Sequence, residues 1–331
     1  MNVKLLKGDC LIESDKIKDA SVDLILTDLP YGIMQPNHNG KAYKEMYKDK
    51  LKWDYQIEPL KIFEIANRVL RKNGKIVLFA QEPYTSKLIQ QQIPNIPFNY
   101  KMIWDKKSFG SHLKCNIAPL GFFEEVVVFK KQECYNAKNP LRNILEKYVI
   151  RYGEKYIINL FKLEGRYSSD LSARVHASHK FGFNTAKRFD FFDKKMFEFL
   201  SNYIDFEESY EELKNIHSDY QKKYKSTFNL LNGSKFKSNI LEYKKDNNNL
   251  HPTQKPILLL EDLIKTFSNE NDLIVDLTMG SCSTGIACIN TNRNFIGIEL
   301  DRDYFNISLK RVEEKRKEKE FNLITSFGDG M

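Results

Sequence analysis

The sequence is poor in cysteine and lacks the punctuation of several common enzyme classes. Its five cysteines, Cys10, Cys115, Cys134, Cys282 and Cys288, are odd in number and scattered. No pair has the spacing of zinc ligands, which argues against a disulfide framework and for a reduced, cytoplasmic setting. No apolar run reaches the roughly 18 residues of a membrane span. The start of the chain turns polar at Lys7-Gly8-Asp9, too early for a secretory signal. No G-x-G-x-x-G opens a helix and no Walker loop is present, so neither a nicotinamide site nor a P-loop is expected. His176 and His179 share a helical spacing, but no further ligand cluster joins them and no metal is expected.

What is present points to a large globular chain with a polyanionic partner. Of the 331 residues 41% are hydrophobic, enough to bury a core as one large domain plus an insertion. The formal charge of +8 favours nucleic acid. Short β-rich runs alternate with helical patterns at both ends of the chain, the mark of an α/β fold. Strands are expected at Val3–Leu6, Val22–Thr27, Ile76–Phe79, Tyr100–Trp104, Val126–Phe129, Leu273–Asp276 and Phe295–Glu299. Helices are expected over Glu58–Arg71, stopped by Asn73-Gly74, and over Tyr84–Gln92, Pro256–Phe267 and Thr284–Asn290. Another should run from Asp301 to about Lys317, with no clear pattern after Phe321. Between 136 and 249 the alternation stops. That stretch interleaves aromatics with positive charge, as in Phe181-Gly182-Phe183 and Lys187-Arg188-Phe189, and reads as a mostly helical insertion.

Two strand ends carry the chemistry. Asp28-Leu29-Pro30-Tyr31 leaves one strand, and Asp276-Leu277-Thr278-Met279-Gly280-Ser281 leaves another. A nucleobase amino group is a poor nucleophile because its lone pair is conjugated into the ring. Two acceptors on its hydrogens hold it toward tetrahedral geometry and free that lone pair. Asp28 offers a carboxylate and Leu29 a backbone carbonyl. Tyr31 offers a face for a base flipped out of the duplex, a stacking worth about 1–3 kcal/mol. The second strand end offers a glycine turn, the usual seat of a nucleotide-like cofactor. Glu299 ends the next strand, at the offset where an acid bonds a ribose in Rossmann-like sites. Taken singly, each has a plainer reading as a strand-to-turn exit or a strand-end acid.

In this order the motifs resemble the amino-directed DNA methyltransferases that use S-adenosylmethionine, in particular their circularly permuted beta group. The resemblance covers residues 1–135 and 250–315. It implies a circularly permuted Rossmann-like α/β fold, a mostly parallel sheet with an antiparallel edge, plus a mainly helical insertion domain. Residues 1–135 would form the catalytic half, 136–249 the target-recognition insertion and 250–331 the cofactor half. Asp28, Leu29, Pro30 and Tyr31 would be the catalytic set. Around S-adenosylmethionine the resemblance places Asp9 and Cys10 near the adenine and Glu299 on the ribose. Thr253 and Lys255, in His251-Pro252-Thr253-Gln254-Lys255-Pro256, would meet the methionine part, and Asp276, Thr278, Met279, Gly280 and Ser281 would form the loop. Lys106, Lys107, Ser108 and His112 follow a core strand and are expected to approach DNA, as are Lys187 and Arg188 of the insertion.

Asp in the first place of the tetrapeptide is typical of adenine-N6 enzymes and Ser of cytosine-N4 enzymes. The expected activity is therefore site-specific adenine-N6 methylation of double-stranded DNA by base flipping, of the restriction-modification kind. The sequence departs from the family pattern at Leu29 and Leu277, where proline is usual, and at Cys282, where a small residue is usual. A cytosine-N4 enzyme stays open because the same geometry accepts either amino group. So does a decayed fold that only binds DNA. The resemblance is compatible with a homodimer.

Overall fold

The computed structural model describes residues 2–31, 56–109, 116, 119–132, 140–165, 169–181, 191–231, 233–246 and 254–328. The apolar runs become eight strands: β1 (Val3–Lys7), β2 (Val22–Thr27), β3 (Leu70–Ala80), β4 (Phe98–Asp105), β5 (Phe123–Lys130), β6 (Ile240–Glu242), β7 (Leu273–Asp276) and β8 (Asn294–Glu299). They form one sheet in the order β1-β8-β7-β2-β3-β5-β4-β6. Every pairing from β1 to β3 is parallel. Among the described strands only β5 is reversed, antiparallel to both β3 and β4, while β6 lies parallel to β4 at the rim. The antiparallel β4–β5 pair was expected as the edge; the three-residue β6 covers it.

Helices pack on both faces. One face carries α1 (Cys10–Glu13), α2 (Pro59–Val69) and α3 (Tyr84–Gln90), whose Ile62, Phe63, Val69 and Leu88 share a core with Ile25, Ile76 and Leu78. Residues Ile76 to Ala80 of β3 are fully or almost fully buried, as a strand covered on both sides must be. The expected helix stop at Asn73-Gly74 is something else. The helix ends at Val69 and passes directly into β3. There Asn73 takes a left-handed φ of 64°, and a Cβ on Gly74 would lie 2.9 Å from the Arg71 carbonyl oxygen. The dipeptide marks the register shift between Val22 and Leu24, not a helix cap.

A second compact unit spans Cys134–Lys225, and the first comprises Met1–Glu133 with Ser226–Met331. The second unit is helical: α4 (Pro140–Tyr152), α5 (Glu154–Leu163), α6 (Asp170–Phe181), α7 (Lys194–Leu200) and α8 (Tyr210–Tyr224). Tyr148, Phe161, Phe181 and Phe192 form its aromatic core. Ser209 and Glu212 close a capping box that starts α8. The stretch from Ser226 through β6 belongs to the sheet-bearing unit, although the insertion was expected to run to 249.

The far face of the sheet carries α9 (Ile257–Phe267), α10 (Ser283–Asn290) and α11 (Arg302–Gly328). The last helix outruns its expected end. Intrahelical ion pairs such as Glu313–Lys317 at 2.6 Å and Lys315–Glu318 at 2.9 Å bridge its surface turns, a support that apolar periodicity does not reveal. Among the described residues no helix is long and apolar enough to cross a membrane.

Candidate active site

The sheet order reverses its winding between β7 and β2, and an open α/β sheet forms its binding crevice at such a point, beyond the carboxyl ends of the strands. Both chemical strand ends sit there. The Thr27 and Thr278 hydroxyls lie 2.8 Å apart, and the Thr278 hydroxyl donates to the Asp28 carbonyl at 2.9 Å. Two segments distant in sequence are thus tied side by side above a cavity of about 510 Å³.

On one wall, Asp28 is held through both carboxylate oxygens. The Tyr31 hydroxyl donates to Oδ1 at 2.7 Å and the Lys255 ammonium donates to Oδ2. The Tyr31 ring rests 5.2 Å from that of Tyr84. Lys255 also lies 3.4 Å from a Glu124 oxygen and 5.0 Å from the centre of the Phe79 ring. Lys106 approaches the other Glu124 oxygen at 3.4 Å. Burial raises the Asp28 carboxyl pKa above its ordinary range despite the Lys255 charge. Burial works against the Lys255 ammonium, but Asp28 and Glu124 outweigh it and keep the lysine charged. Burial pushes Glu124 up, yet Lys255 and Lys106 prevail and hold it below its usual value.

The other wall is built from neutral hydrogen bonds. Asp276 accepts from the Thr284 hydroxyl at 2.6 Å and from the Thr278 amide at 3.1 Å. Burial raises its pKa to about 6, against the pull of those donors. Glu299 accepts from the amides of Gly280 and Asp301, each at 2.8 Å, and so pins the glycine turn to the end of β8. Gly280 has φ 52°, the left-handed region glycine enters freely. Cys282 occupies the same region at φ 68°, which explains why a residue without a side chain suits that position. Burial lifts its thiol to about 12, so it packs rather than reacts.

Most of the expected site residues meet at this cavity. Asp28, Leu29, Pro30, Tyr31, Cys10, Lys255, Asp276, Thr278, Met279, Gly280, Ser281 and Glu299 all line it. Asp9 does not line it: its carboxylate caps α1 by accepting the Leu11 amide at 2.9 Å. Lys255, expected against the methionine part of a cofactor, sits on Asp28 and Glu124, because an ammonium buried to 8% exposure needs counter-charges. Lys106, expected at DNA, is 5% exposed and turned inward to Glu124 for the same reason. Lys107 is paired with Asp105 at 2.8 Å and Glu242 at 3.1 Å, and Ser108 bonds the Lys106 carbonyl. Thr253, His112, Lys187 and Arg188 lie outside the described residues. The sequence reading missed Glu124 and Gln254, which also line the cavity, the latter accepting from Ser281 at 3.3 Å, and Tyr84, whose ring backs that of Tyr31. Paired acids heading the apolar run of β5 were the available signal for Glu124.

The family of N6/N4 methyltransferases, described as DNA methylase, matches residues 22–310. The DNA adenine methyltransferase YhdJ of Escherichia coli (strain K12) is 25% identical over 311 residues, 93% of this chain and 82% of that protein. The type II methyltransferase M.HpaI of Haemophilus parainfluenzae is 34% identical over 116 residues, and that match covers 34% of this chain and 35% of its own. The structure of PvuII DNA methyltransferase (cytosine-N4-specific) aligns with a TM-score of 0.50 at 15% identity, covering 93% of this chain and 86% of that one, a likeness of fold.

Proposed function

Because the chain belongs to this DNA methylase family, which spans amino-group methylation of adenine and cytosine, we propose that it is a site-specific DNA adenine-N6 methyltransferase using S-adenosylmethionine. One observation carries the reading: a single cavity is lined both by Asp28 and Tyr31 and by the Gly280 turn and Glu299. Its volume of about 510 Å³ falls in the range for nucleotide-sized ligands. The adenine assignment is supported by the aspartate that opens the tetrapeptide, and by the alignment along most of its length with a protein named as an adenine methyltransferase.

S-adenosylmethionine supplies a methyl group on a positively charged sulfur and leaves as the neutral thioether S-adenosylhomocysteine. The residues that would hold it are Glu299 at the ribose and the Thr278–Ser281 turn beside it. Asp28 and the Leu29 carbonyl accept the two amino hydrogens of the flipped base, which frees its lone pair to form the new nitrogen–carbon bond. The amino group then sheds one proton toward the Asp28 carboxylate. Tyr31 offers its ring to the base, and Tyr84 backs that ring. Positioning and electrostatics account for the rate, with no covalent intermediate. The helical unit Cys134–Lys225 supplies target recognition, its basic residues meeting phosphates and a few side chains reading base edges.

The test is nucleoside analysis of unmethylated plasmid DNA incubated with the pure protein and S-adenosylmethionine. N6-methyladenine is expected. N4-methylcytosine would overturn the adenine assignment. No methylated base, together with no calorimetric binding of S-adenosylhomocysteine, would mark a decayed fold.

A further inference from the structure

Four charges alternate through the buried floor of the site: Asp28, Lys255, Glu124 and Lys106. Both Asp28 oxygens already carry a donor, Tyr31 on one and Lys255 on the other. An incoming amino group therefore competes for an acceptor whose oxygens already carry a phenol and an ammonium. Lys255 cannot simply leave, because a buried ammonium with no counter-charge is strongly disfavoured. A second carboxylate is already in ion-pair range, 3.4 Å from its Nζ.

Building on the assignment of Asp28 as amino-group acceptor, we propose that Glu124 is a positioning residue that takes up the Lys255 ammonium when the target amino group takes its place on Asp28. The reversed strand makes this possible. Glu124 pairs in register with Trp104 near the carboxyl end of β4, so β5 enters the sheet at the catalytic edge. Lys106 holds Glu124 from the far side and keeps it ionised. The charged and titratable groups facing Asp28 are Tyr31, Tyr84, Glu124, Lys255 and Asp276, while Lys106 and Lys245 face Glu124.

The experiment is the single-turnover rate of methyl transfer by the full chain against pH. Glu124→Gln should lower the plateau rate at least about tenfold, since Lys255 then has only Asp28 to bind. Its acid limb should move to lower pH, because a negative charge that disfavours ionised Asp28 has gone. Lys106→Gln should move the limb the opposite way, as Glu124 draws Lys255 further from Asp28. Glu124→Asp, which keeps the charge, should recover the rate to within about threefold. S-adenosylhomocysteine affinity should stay unchanged in all three. An unmoved acid limb in Glu124→Gln overturns the proposal whatever its rate. Should that variant fail to fold, an unmoved limb in Lys106→Gln overturns it instead. Asp28→Ala in the same assay separates the two levels. If it stays active, the acceptor assignment itself falls. If it is inactive while the Glu124→Gln limb is unmoved, only the sharing of Lys255 falls.

Discussion

Two aspartates stand at neighbouring strand ends, both largely buried, both with carboxyl pKa values raised by burial, and they are partnered in opposite ways. Asp276 is held by a hydroxyl and an amide, Asp28 by an ammonium and a phenol. Neutral donors from the glycine turn and the helix that follows it make a fixture: the carboxylate fastens the turn to that helix. A lysine with a second acid 3.4 Å from its ammonium is placed for the exchange proposed above. On that proposal the wall that holds Asp276 stays as it is and the wall that holds Asp28 changes partners.

The largest expected effect breaks the exchangeable side. Asp28→Ala should slow methyl transfer at least about a hundredfold, by analogy with removal of a preorganised transition-state hydrogen bond. Calorimetric binding of S-adenosylhomocysteine should stay near normal. More than half the wild-type turnover would remove Asp28 from the mechanism.

The fixture should reveal itself in stability. Asp276 has a folded pKa of about 6 against an ordinary 3.8. Between those values the folded protein keeps a proton that the unfolded chain has released, so this contribution is full below the lower value and is lost as pH rises through the upper. The loss amounts to about 2–3 kcal/mol. Asp276→Asn cannot ionise, and denaturant melts from pH 4 to 7 should lack that decline. A variant whose stability tracks the wild type across this window would show that the carboxyl does not titrate there.

Glu299 sharpens the contrast, because it pins the turn and is also the residue proposed to hold the cofactor ribose. Glu299→Ala should weaken S-adenosylmethionine binding by about 1.5–3 kcal/mol, the range for charge-assisted hydrogen bonds. Glu299→Gln, which keeps one acceptor, should lose less. Equal affinity in both variants and the wild type, by titration, would remove the ribose contact.

The smallest effect concerns Cys282. In a left-handed conformation glycine carries no Cβ penalty, so Cys282→Gly should be more stable than Cys282→Ala by about 1 kcal/mol. Ordinary helical preference would give the reverse order in thermal melts.

Strand ends were legible because their chemistry is local: a tetrapeptide, a glycine turn and an acid at a fixed offset can be read without knowing any neighbour. Glu124 was not, since its role depends on β5 being reversed and lying beside β3, a matter of sheet order. Lys106 was placed at DNA for a related reason: a lysine in a loop looks like surface, and only tertiary pairing shows it buried against Glu124. The two lapses from proline have a packing account. Leu29 and Leu277 are 2% and 1% exposed in the same apolar cluster, so each side chain anchors a turn whose backbone does the work. Asn73-Gly74 was a true irregularity assigned to the wrong element, because a left-handed asparagine followed by a glycine serves a bulged strand as well as a helix end.

The outermost strand also has a consequence for how the chain is made. Among the described strands β1 has a single sheet neighbour, β8, with Val3 opposite Phe295. A ribosome adding about 5–20 residues per second releases β1 roughly 15–60 seconds before its partner exists. β2 waits nearly as long for β7. Throughout that interval the nascent first half exposes open strand edges, the surfaces most prone to pair with another chain. The sheet is completed only when β7 and β8 emerge, so the strand ends that carry Asp276 and Glu299 come to lie beside Asp28 long after Asp28 itself has been made.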